Sequence, residues 1–133
     1  FMAEWSRRLM QEYPDFNMVG EEWSASPNVT SYWQRGKQNA DGYVSHLPGV
    51  FDFPLQIAFE KVLTSDEPPG GSAWTPVYEL LGADYRYPEP TDHVIMPDNH
   101  DMSRPFTQVD EDEDLWRMAM VFYATMRGIP QIY

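Results

Sequence analysis

Apolar side chains recur along much of this sequence with the spacing of an α-helix. Phe1, Trp5 and Leu9 lie four residues apart with polar side chains between them, which predicts an amphipathic helix that Tyr13-Pro14 ends. The same periodicity predicts a long helix before Gly128, a natural stop. Its buried stripe is assigned to Leu115, Met118, Ala119, Phe122 and Met126. Shorter helical segments are predicted at 29–34, 54–62 and 74–81.

Short, mostly apolar runs between these helices predict strands, and the first of them is interpreted as buried. The runs lie at 16–19, 50–53, 94–96 and 129–133, and Pro68-Pro69-Gly70-Gly71 marks a break. Helices that alternate with strands in this way indicate parallel strands joined by right-handed crossovers. Residues 1–133 are therefore expected to form a single α/β unit. Because a complete (β/α)8 barrel needs about 250 residues, the order fits half of such a barrel or a small open sheet.

Composition and charge restrict the classes of partner that this chain is expected to bind. Nine basic and 21 acidic residues give a net charge of −12, which argues against binding to nucleic acid or to an anionic membrane surface. No apolar run approaches the roughly 20 residues of a membrane span. The absence of cysteine excludes disulfides and thiolate chemistry. Since the sequence opens within a predicted helix, we expect the chain to be a piece of a longer protein.

Ionisable side chains follow two of the predicted strands. Glu21, Glu22 and Trp23 come after the first strand, and Asp98-Asn99-His100-Asp101 follows the third. Functional groups of parallel α/β sheets collect beyond the carboxyl ends of strands, so both groups are expected to face one crevice. Carboxylates placed in this way are what acid/base cleavage of a glycosidic bond requires. The indole of Trp23 adds an apolar surface for a sugar ring.

Each of these clusters also has a plainer or a different interpretation. A Glu-Glu pair after a glycine, such as Glu21-Glu22, is typical of a solvated loop. The segment that begins at Asp98 equally suits a turn and a helix cap. Asp98, His100 and Asp101 also have the chemistry of a divalent-metal site. On the pattern alone, the metal hypothesis and the sugar hypothesis are equal.

Three segments taken together resemble the α-amylase family of glycoside hydrolases. Met18 to Trp23 resembles the fifth-strand motif of that family, an apolar strand followed by Gly-Glu-x-Trp. Met96 to Asp101, with Arg104 after it, resembles the seventh-strand motif. Gly128 to Tyr133 resembles the eighth-strand motif, and the three occur in family order across essentially the whole chain. Val50 to Leu55 is most similar to the neopullulanase and cyclomaltodextrinase branch.

The resemblance implies a role for each matching residue. Glu21 corresponds to the general acid/base that protonates the leaving oxygen and later activates water. Asp101 corresponds to the carboxylate that binds hydroxyls of the sugar in the −1 subsite and stabilises its oxocarbenium-like state. Glu22 occupies a variable position of the motif, where we expect a loop role and not catalysis. The residues expected to bind substrate are His100, Trp23, Asn99 and Arg104.

The resemblance also implies a fold and an activity. The chain corresponds to the C-terminal half of a (β/α)8 barrel, from the helix after the fourth strand to the eighth strand. The fourth-strand motif Asp-Gly-x-Arg-x-Asp, which holds the nucleophile, is therefore expected to lie outside this chain. The intact parent is expected to cleave α-1,4 bonds of starch-derived oligosaccharides, pullulan or cyclodextrins with retention. The chain alone is expected to be inactive.

Alternative functions and partners follow from the same resemblance. The alternatives are an α-glucan transglycosylase and a non-catalytic glycan-binding or assembly module. No cofactor or metal is expected in this chain, whereas calcium stays open for the intact parent. The exposed interior of a half barrel is expected to promote self-association. Degradation of polysaccharides favours a secreted or periplasmic parent.

Overall fold

Helices and short strands alternate along the chain, as the sequence pattern predicts. The computed structural model describes residues 1–67 and 72–133. In chain order its elements are α1 (Met2–Glu12), β1 (Val19–Gly20), α2 (Pro27–Tyr32), β2 (Gly49–Val50), α3 (Phe53–Leu63), α4 (Thr75–Gly82), β3 (Val94–Ile95), α5 (Pro105–Gln108), α6 (Glu113–Thr125) and β4 (Ile129–Pro130). The break predicted at 68–71 lies outside the described residues.

The strands form two parallel pairs, β1-β2 and β3-β4. Val19 pairs with Gly49 in the first ladder, and Val94 pairs with Ile129 in the second. A single parallel bridge between Phe51 and Val94 connects the two ladders. The predicted parallel arrangement is thereby confirmed, and it brings the carboxyl ends of all four strands to the same edge.

Two glycines allow neighbouring backbones to approach closely along this sheet. A Cβ at Gly49 would lie 1.9 Å from the carbonyl oxygen of Asp92, so no side chain fits there without a shift of the backbone. Gly128 has a φ of +104°, and a Cβ on it would lie 2.8 Å from the carbonyl oxygen of His93. The same carbonyl accepts a hydrogen bond from Ile129 N at 2.8 Å, which begins the pairing of β4 with β3.

The apolar core lies where α3, α4 and α6 pack over β3. Phe59 of α3 is fully buried, stacks on Phe122 with ring centroids 3.7 Å apart, and meets the ring of Tyr123 edge-on. α3 begins at its N-cap Asp52, whose Oδ1 accepts from Leu55 N at 3.0 Å. The buried members of the core are Leu55, Ala58, Phe59, Leu63, Val77, Ile95, Val109, Ala119 and Tyr123.

A partly buried network of ion pairs connects the start of β4 to α3 and to the segment after α4. The guanidinium of Arg127 donates to Asp52 Oδ2 at 2.7 Å and to Asp84 Oδ2 at 2.6 Å. The side chain of Asp52 is almost fully buried, so Arg127 supplies the charge that its carboxylate needs. Desolvation works against the charged form of Arg127, yet the two carboxylates hold its pKa above the usual range.

Some expectations from the sequence differ from the structure. Each strand lasts only two residues: Phe53 enters the next helix, and most of the other flanking apolar residues form no backbone ladder. The first strand was predicted to be buried, but its residue Val19 is exposed because β1 is an outer strand. The predicted burial of Met118 is wrong: the buried line of α6 runs through Ala119 and Tyr123, about 100° around the helix from Met118. α1 forms as predicted, but its apolar face is largely exposed, with 43% of Trp5 accessible.

Candidate functional site

The three residues after β1 point to different surroundings. Glu21 is exposed, whereas the Oε2 atom of Glu22 accepts a hydrogen bond from the indole Nε1 of Trp33 at 2.8 Å. Trp23 stacks on Phe53, the first residue of α3, with ring centroids 4.7 Å apart and planes 19° from parallel. The stack fixes the indole plane while 49% of Trp23 stays accessible to a ligand.

Two concave surfaces adjoin this segment. Glu21 and Glu22 line a cavity of about 170 Å³ whose remaining walls are Met2, Gly20, Trp33, Leu47 and Val50. Trp23 borders a groove of about 340 Å³ between α3 and α5, which is lined mainly by amide, hydroxyl and carboxylate side chains. The other residues of the groove are Gln56, Glu60, Met102, Ser103, Thr107 and Gln108. An aromatic face beside polar side chains suits a neutral, hydroxyl-rich ligand.

The segment after β3 holds a buried acid and a tight turn. Asp98 is fully buried, and Arg104 Nη1 lies 2.6 Å from its Oδ2, which offsets the charge of this carboxylate. Asn99 is also buried, and its Oδ1 accepts from Asp101 N at 2.9 Å. This local hydrogen bond is of the Asx-turn type and fixes the backbone at Asp101.

His100 and Asp101 are both exposed at the end of this turn. His100 Nε2 lies 3.3 Å from Asp101 Oδ2, so the two side chains are neighbours that face solvent together. The ring of His100 is 6.2 Å from the ring of Tyr133, and Arg104 donates to the carbonyl oxygen of Tyr133. The segments that follow β3 and β4 therefore meet around the His100 side chain.

The parallel sheet brings the predicted site residues to one edge without joining them directly. β2 lies between β1 and β3, so Glu21 and the segment with Asp101 follow strands that are not neighbours. The cavity that Glu21 lines includes none of residues 98–101. The shared crevice therefore stays a prediction.

The alternative of a metal site on Asp98, His100 and Asp101 is not supported by the geometry. Asp98 is buried against Arg104, whereas His100 and Asp101 face solvent. Across residues 1–67 and 72–133, no group of three or more His, Cys, Asp or Glu side chains has an arrangement that could hold a metal ion. The three side chains are close in sequence but not in space, because Asp98 faces the protein interior.

Comparison with known proteins identifies the family of the chain. The family model of the alpha-amylase catalytic domain matches residues 1–133. The chain belongs to the alpha-amylase family. It is a TIM-barrel fragment with parallel strands, and the family predicted from the sequence is confirmed.

Individual relatives extend this result. A cyclomaltodextrinase from Bacillus sp is 30% identical over 139 residues, which cover 100% of this chain and 22% of that protein. An alpha-amylase from Geobacillus thermoleovorans, solved with acarbose, superposes with a TM-score of 0.77 at 22% identity and covers 99% of this chain and 28% of its own. CldA, a cyclomaltodextrin glucanotransferase, has a TM-score of 0.71 at 25% identity and covers 99% and 25%. The alpha-amylase fragment thus spans about a quarter of these relatives.

Two features of the alpha-amylase fragment were not predicted from its sequence. Trp33 lies in the helical segment predicted at 29–34, but nothing in that pattern indicates that its indole reaches Glu22. The burial of Asp98 was not predicted either, because an acidic side chain is normally exposed.

Among the described residues, none of the helices combines the length and the apolarity that crossing a membrane requires.

Proposed function

We propose that this chain is the C-terminal half of the catalytic barrel of a retaining enzyme that cleaves α-1,4-glucosidic bonds. In this proposal α1 follows the fourth barrel strand, and β1 to β4 are the fifth to the eighth strands. The observation that carries it is the placement of Glu21 and of Asn99-His100-Asp101 at the carboxyl ends of parallel strands in a chain of the alpha-amylase family.

The proposed chemistry assigns each group a separate task. The carboxyl group of Glu21 donates its proton to the glycosidic oxygen as the bond breaks, and the resulting carboxylate later takes a proton from the attacking water. Asp101 binds hydroxyls of the sugar in the −1 subsite and stabilises the positive charge that develops on its ring. His100 donates a hydrogen bond to the same sugar. Asn99, which the resemblance assigns to substrate binding, fixes the backbone of Asp101 through its Oδ1, whereas its Nδ2 is buried and is not accessible to a ligand in this structure.

Arg104, which the resemblance assigns to substrate binding, has an indirect part in this proposal because its guanidinium is already engaged by other residues. It is bound to Asp98 on one side and to the carbonyl oxygen of Tyr133 on the other, so it holds the His100-Asp101 turn against the segment after β4. The nucleophile belongs to the family motif Asp-Gly-x-Arg-x-Asp, which these 133 residues do not contain. Residues 1–133 by themselves are therefore proposed to bind α-glucans without turning them over.

The substrate class follows from the relatives and from the groove beside Trp23. The curated relative is named a cyclomaltodextrinase, which supports cyclodextrins as substrates. Maltooligosaccharides and pullulan are proposed from the resemblance of the motifs. The half-exposed indole and the amide and hydroxyl side chains of the groove suit the part of a glucan chain beyond the cleaved bond. Glu60 in that groove disfavours an anionic ligand.

The test replaces the proposed acid/base in the full-length protein that contains this chain. Glu21→Gln keeps the shape of the side chain but removes the transferable proton, so kcat on maltoheptaose and on β-cyclodextrin is expected to fall by about 10²–10⁴. Glu12→Gln, on the exposed end of α1, is the matched control and should leave kcat unchanged. Binding of maltoheptaose without any hydrolysis dependent on Glu21 would instead favour a glycan-binding or assembly module.

A transglycosylase is a second candidate, favoured by the similarity to a cyclomaltodextrin glucanotransferase. In that reaction a second sugar intercepts the glycosyl-enzyme instead of water. A sugar acceptor bound along Trp23 would have to persist while the covalent intermediate exists. Product analysis after addition of a second saccharide separates the two: longer or cyclic products indicate transfer, and shorter products alone indicate hydrolysis.

A further inference from the structure

The two residues that follow Glu21 are held by other elements, whereas Glu21 is not. Its two successors are each held by a different neighbouring element, Glu22 by Trp33 at the end of α2 and Trp23 by Phe53 at the start of α3. Glu21 itself makes no hydrogen bond to another described residue and faces solvent. The position of the Glu21 side chain therefore depends on its backbone, which the contacts of the next two residues hold in place.

Trp33 is itself held in a rigid aromatic cluster. Its ring meets those of Tyr32 and Tyr43 edge-on, with centroids 4.9 and 5.5 Å away, while Tyr32 and Tyr43 stack on each other at 4.9 Å. Asn39 Nδ2 donates to the carbonyl oxygens of Tyr32 and Tyr43 at 2.9 and 3.1 Å, which closes the loop that carries Tyr43. The indole N–H that reaches Glu22 thus comes from a fixed platform.

The hydrogen bond from Trp33 also fixes where the second negative charge lies. An N–H bond to a carboxylate is charge-assisted and stronger than one between neutral groups. It directs the carboxylate of Glu22 towards α2, so that this group does not compete with Glu21 for the ligand. Trp33 and Glu22 both line the cavity that Glu21 borders, so the hydrogen bond holds the carboxylate of Glu22 against one wall of this cavity.

From this geometry we infer that Trp33 is a positioning residue for Glu21 and acts through its hydrogen bond to Glu22. The inference rests on the proposed function, in which Glu21 is the acid/base. Trp33 does not itself contact the reacting atoms. It holds the backbone after β1 so that the carboxyl group of Glu21 stays aimed at the glycosidic oxygen.

The test compares variants that remove the hydrogen bond with one that keeps it, in the full-length protein. Trp33→Phe retains an aromatic ring but has no N–H, so kcat on maltoheptaose should fall about 10- to 100-fold while KM changes less than about two-fold. Glu22→Ala should reproduce this loss. Glu22→Gln still offers an oxygen to the indole and should keep kcat within about three-fold. The double variant Trp33→Phe/Glu22→Ala should be no worse than either single variant, because both remove the same bond.

Controls separate positioning from general damage and from failure of the proposed function. Trp116→Phe, at an exposed position of α6 packed edge-on against Phe106, should leave both constants unchanged. If Trp33→Phe does not fold, Glu22→Ala tests the same bond at a half-buried position. Unchanged kcat in these variants, while Glu21→Gln abolishes turnover, overturns the inference alone. Lack of any Glu21-dependent turnover in the wild-type protein overturns the proposed function and this inference together.

Discussion

His93, which directly precedes β3, is a buried ionisable side chain outside the candidate site. Neither nitrogen of its ring has a hydrogen-bond partner in the described structure, and the ring of Tyr87 meets it edge-on at 4.2 Å. Burial lowers the pKa of His93 to about 4, so the imidazole is neutral in the folded chain at pH 7. The charged groups that act on it are Asp52, Arg127, Asp84 and Asp92.

The folded chain is expected to lose stability as the pH falls from about 6.5 to about 4. In the unfolded chain His93 takes up a proton below its ordinary pKa of 6.5, whereas in the folded chain it does so only near pH 4. Protons therefore favour unfolding across that window, and the contribution of this group reaches about 3 kcal/mol. Urea unfolding followed by circular dichroism at about pH 7 and about pH 4.5 measures the loss.

The variant His93→Leu isolates this effect from the titration of the carboxylates. It places an apolar side chain in the same buried site, so its free energy of unfolding should change less between the two pH values than that of the wild type. An equal change in both proteins would show that His93 does not contribute.

At the scale of helices and strands, the sequence specifies some features much better than others. The periodicity of apolar side chains predicts α1, α3 and α6 to within about two residues, because burial of one face repeats the same spacing over several turns. The ends of the strands are not predictable in this way. Each ladder ends after two residues, and a short apolar run carries no mark of where backbone pairing stops. α5 has four residues and is too short to show a period.

The candidate site divides along the same line. Glu21 and the Asn99-His100-Asp101 segment can be found from the sequence, because they directly follow apolar runs that become parallel strands. The hydrogen bond between Glu22 and Trp33 cannot, because it is a tertiary contact across a loop of irregular composition. Arg104, the partner of Asp98, belongs to the same motif and could be found from the sequence. The burial of Asp98 could not be predicted in this way.

The network around Arg127 joins three elements, and its removal is expected to destabilise all of them. Arg127→Ala leaves Asp52 buried without a cation, so the free energy of unfolding should fall by about 3–5 kcal/mol. Asp84→Ala should have a smaller effect, because Asp84 is more exposed and Asp52 still neutralises the arginine. Urea unfolding of the three proteins at pH 7 gives the comparison.

Arg117→Ala is the matched control for this experiment. Arg117 forms an exposed ion pair with Glu113 on α6, and such pairs contribute about 0–1 kcal/mol. A loss for Arg127→Ala no larger than that for Arg117→Ala would contradict a structural role for the network.

At the scale of the whole molecule, the described strands leave two open sheet edges. In the part of the chain that the structure describes, β1 and β4 are the outer strands, and their residues Val19 and Ile129 are exposed. Both line a cavity of about 520 Å³ that also reaches Phe16, Met18 and Val94. In the proposed barrel the first four strands would cover this surface. For residues 1–133 by themselves we propose that a second copy covers it.

Self-association of the 133-residue chain should therefore depend on salt. The net charge of −12 repels a second copy at low ionic strength, and salt screens this repulsion. Sedimentation velocity is expected to show more of the larger species at about 0.5 M than at about 0.02 M NaCl. Ile129→Lys, on the outer strand, should reduce association, whereas Val121→Lys on the exposed face of α6 should not. A 15.5 kDa monomer under all of these conditions would contradict the proposal.

The bridge between Phe51 and Val94 is the seam between the two halves of the proposed site. Glu21 stands on the β1–β2 side of this bridge, and Asp101 stands on the β3–β4 side. Arg127, which directly precedes Gly128 and β4, binds Asp52 after β2 and so crosses the same seam. The ion pair that stabilises the fold therefore also ties together the two halves that carry the proposed site residues.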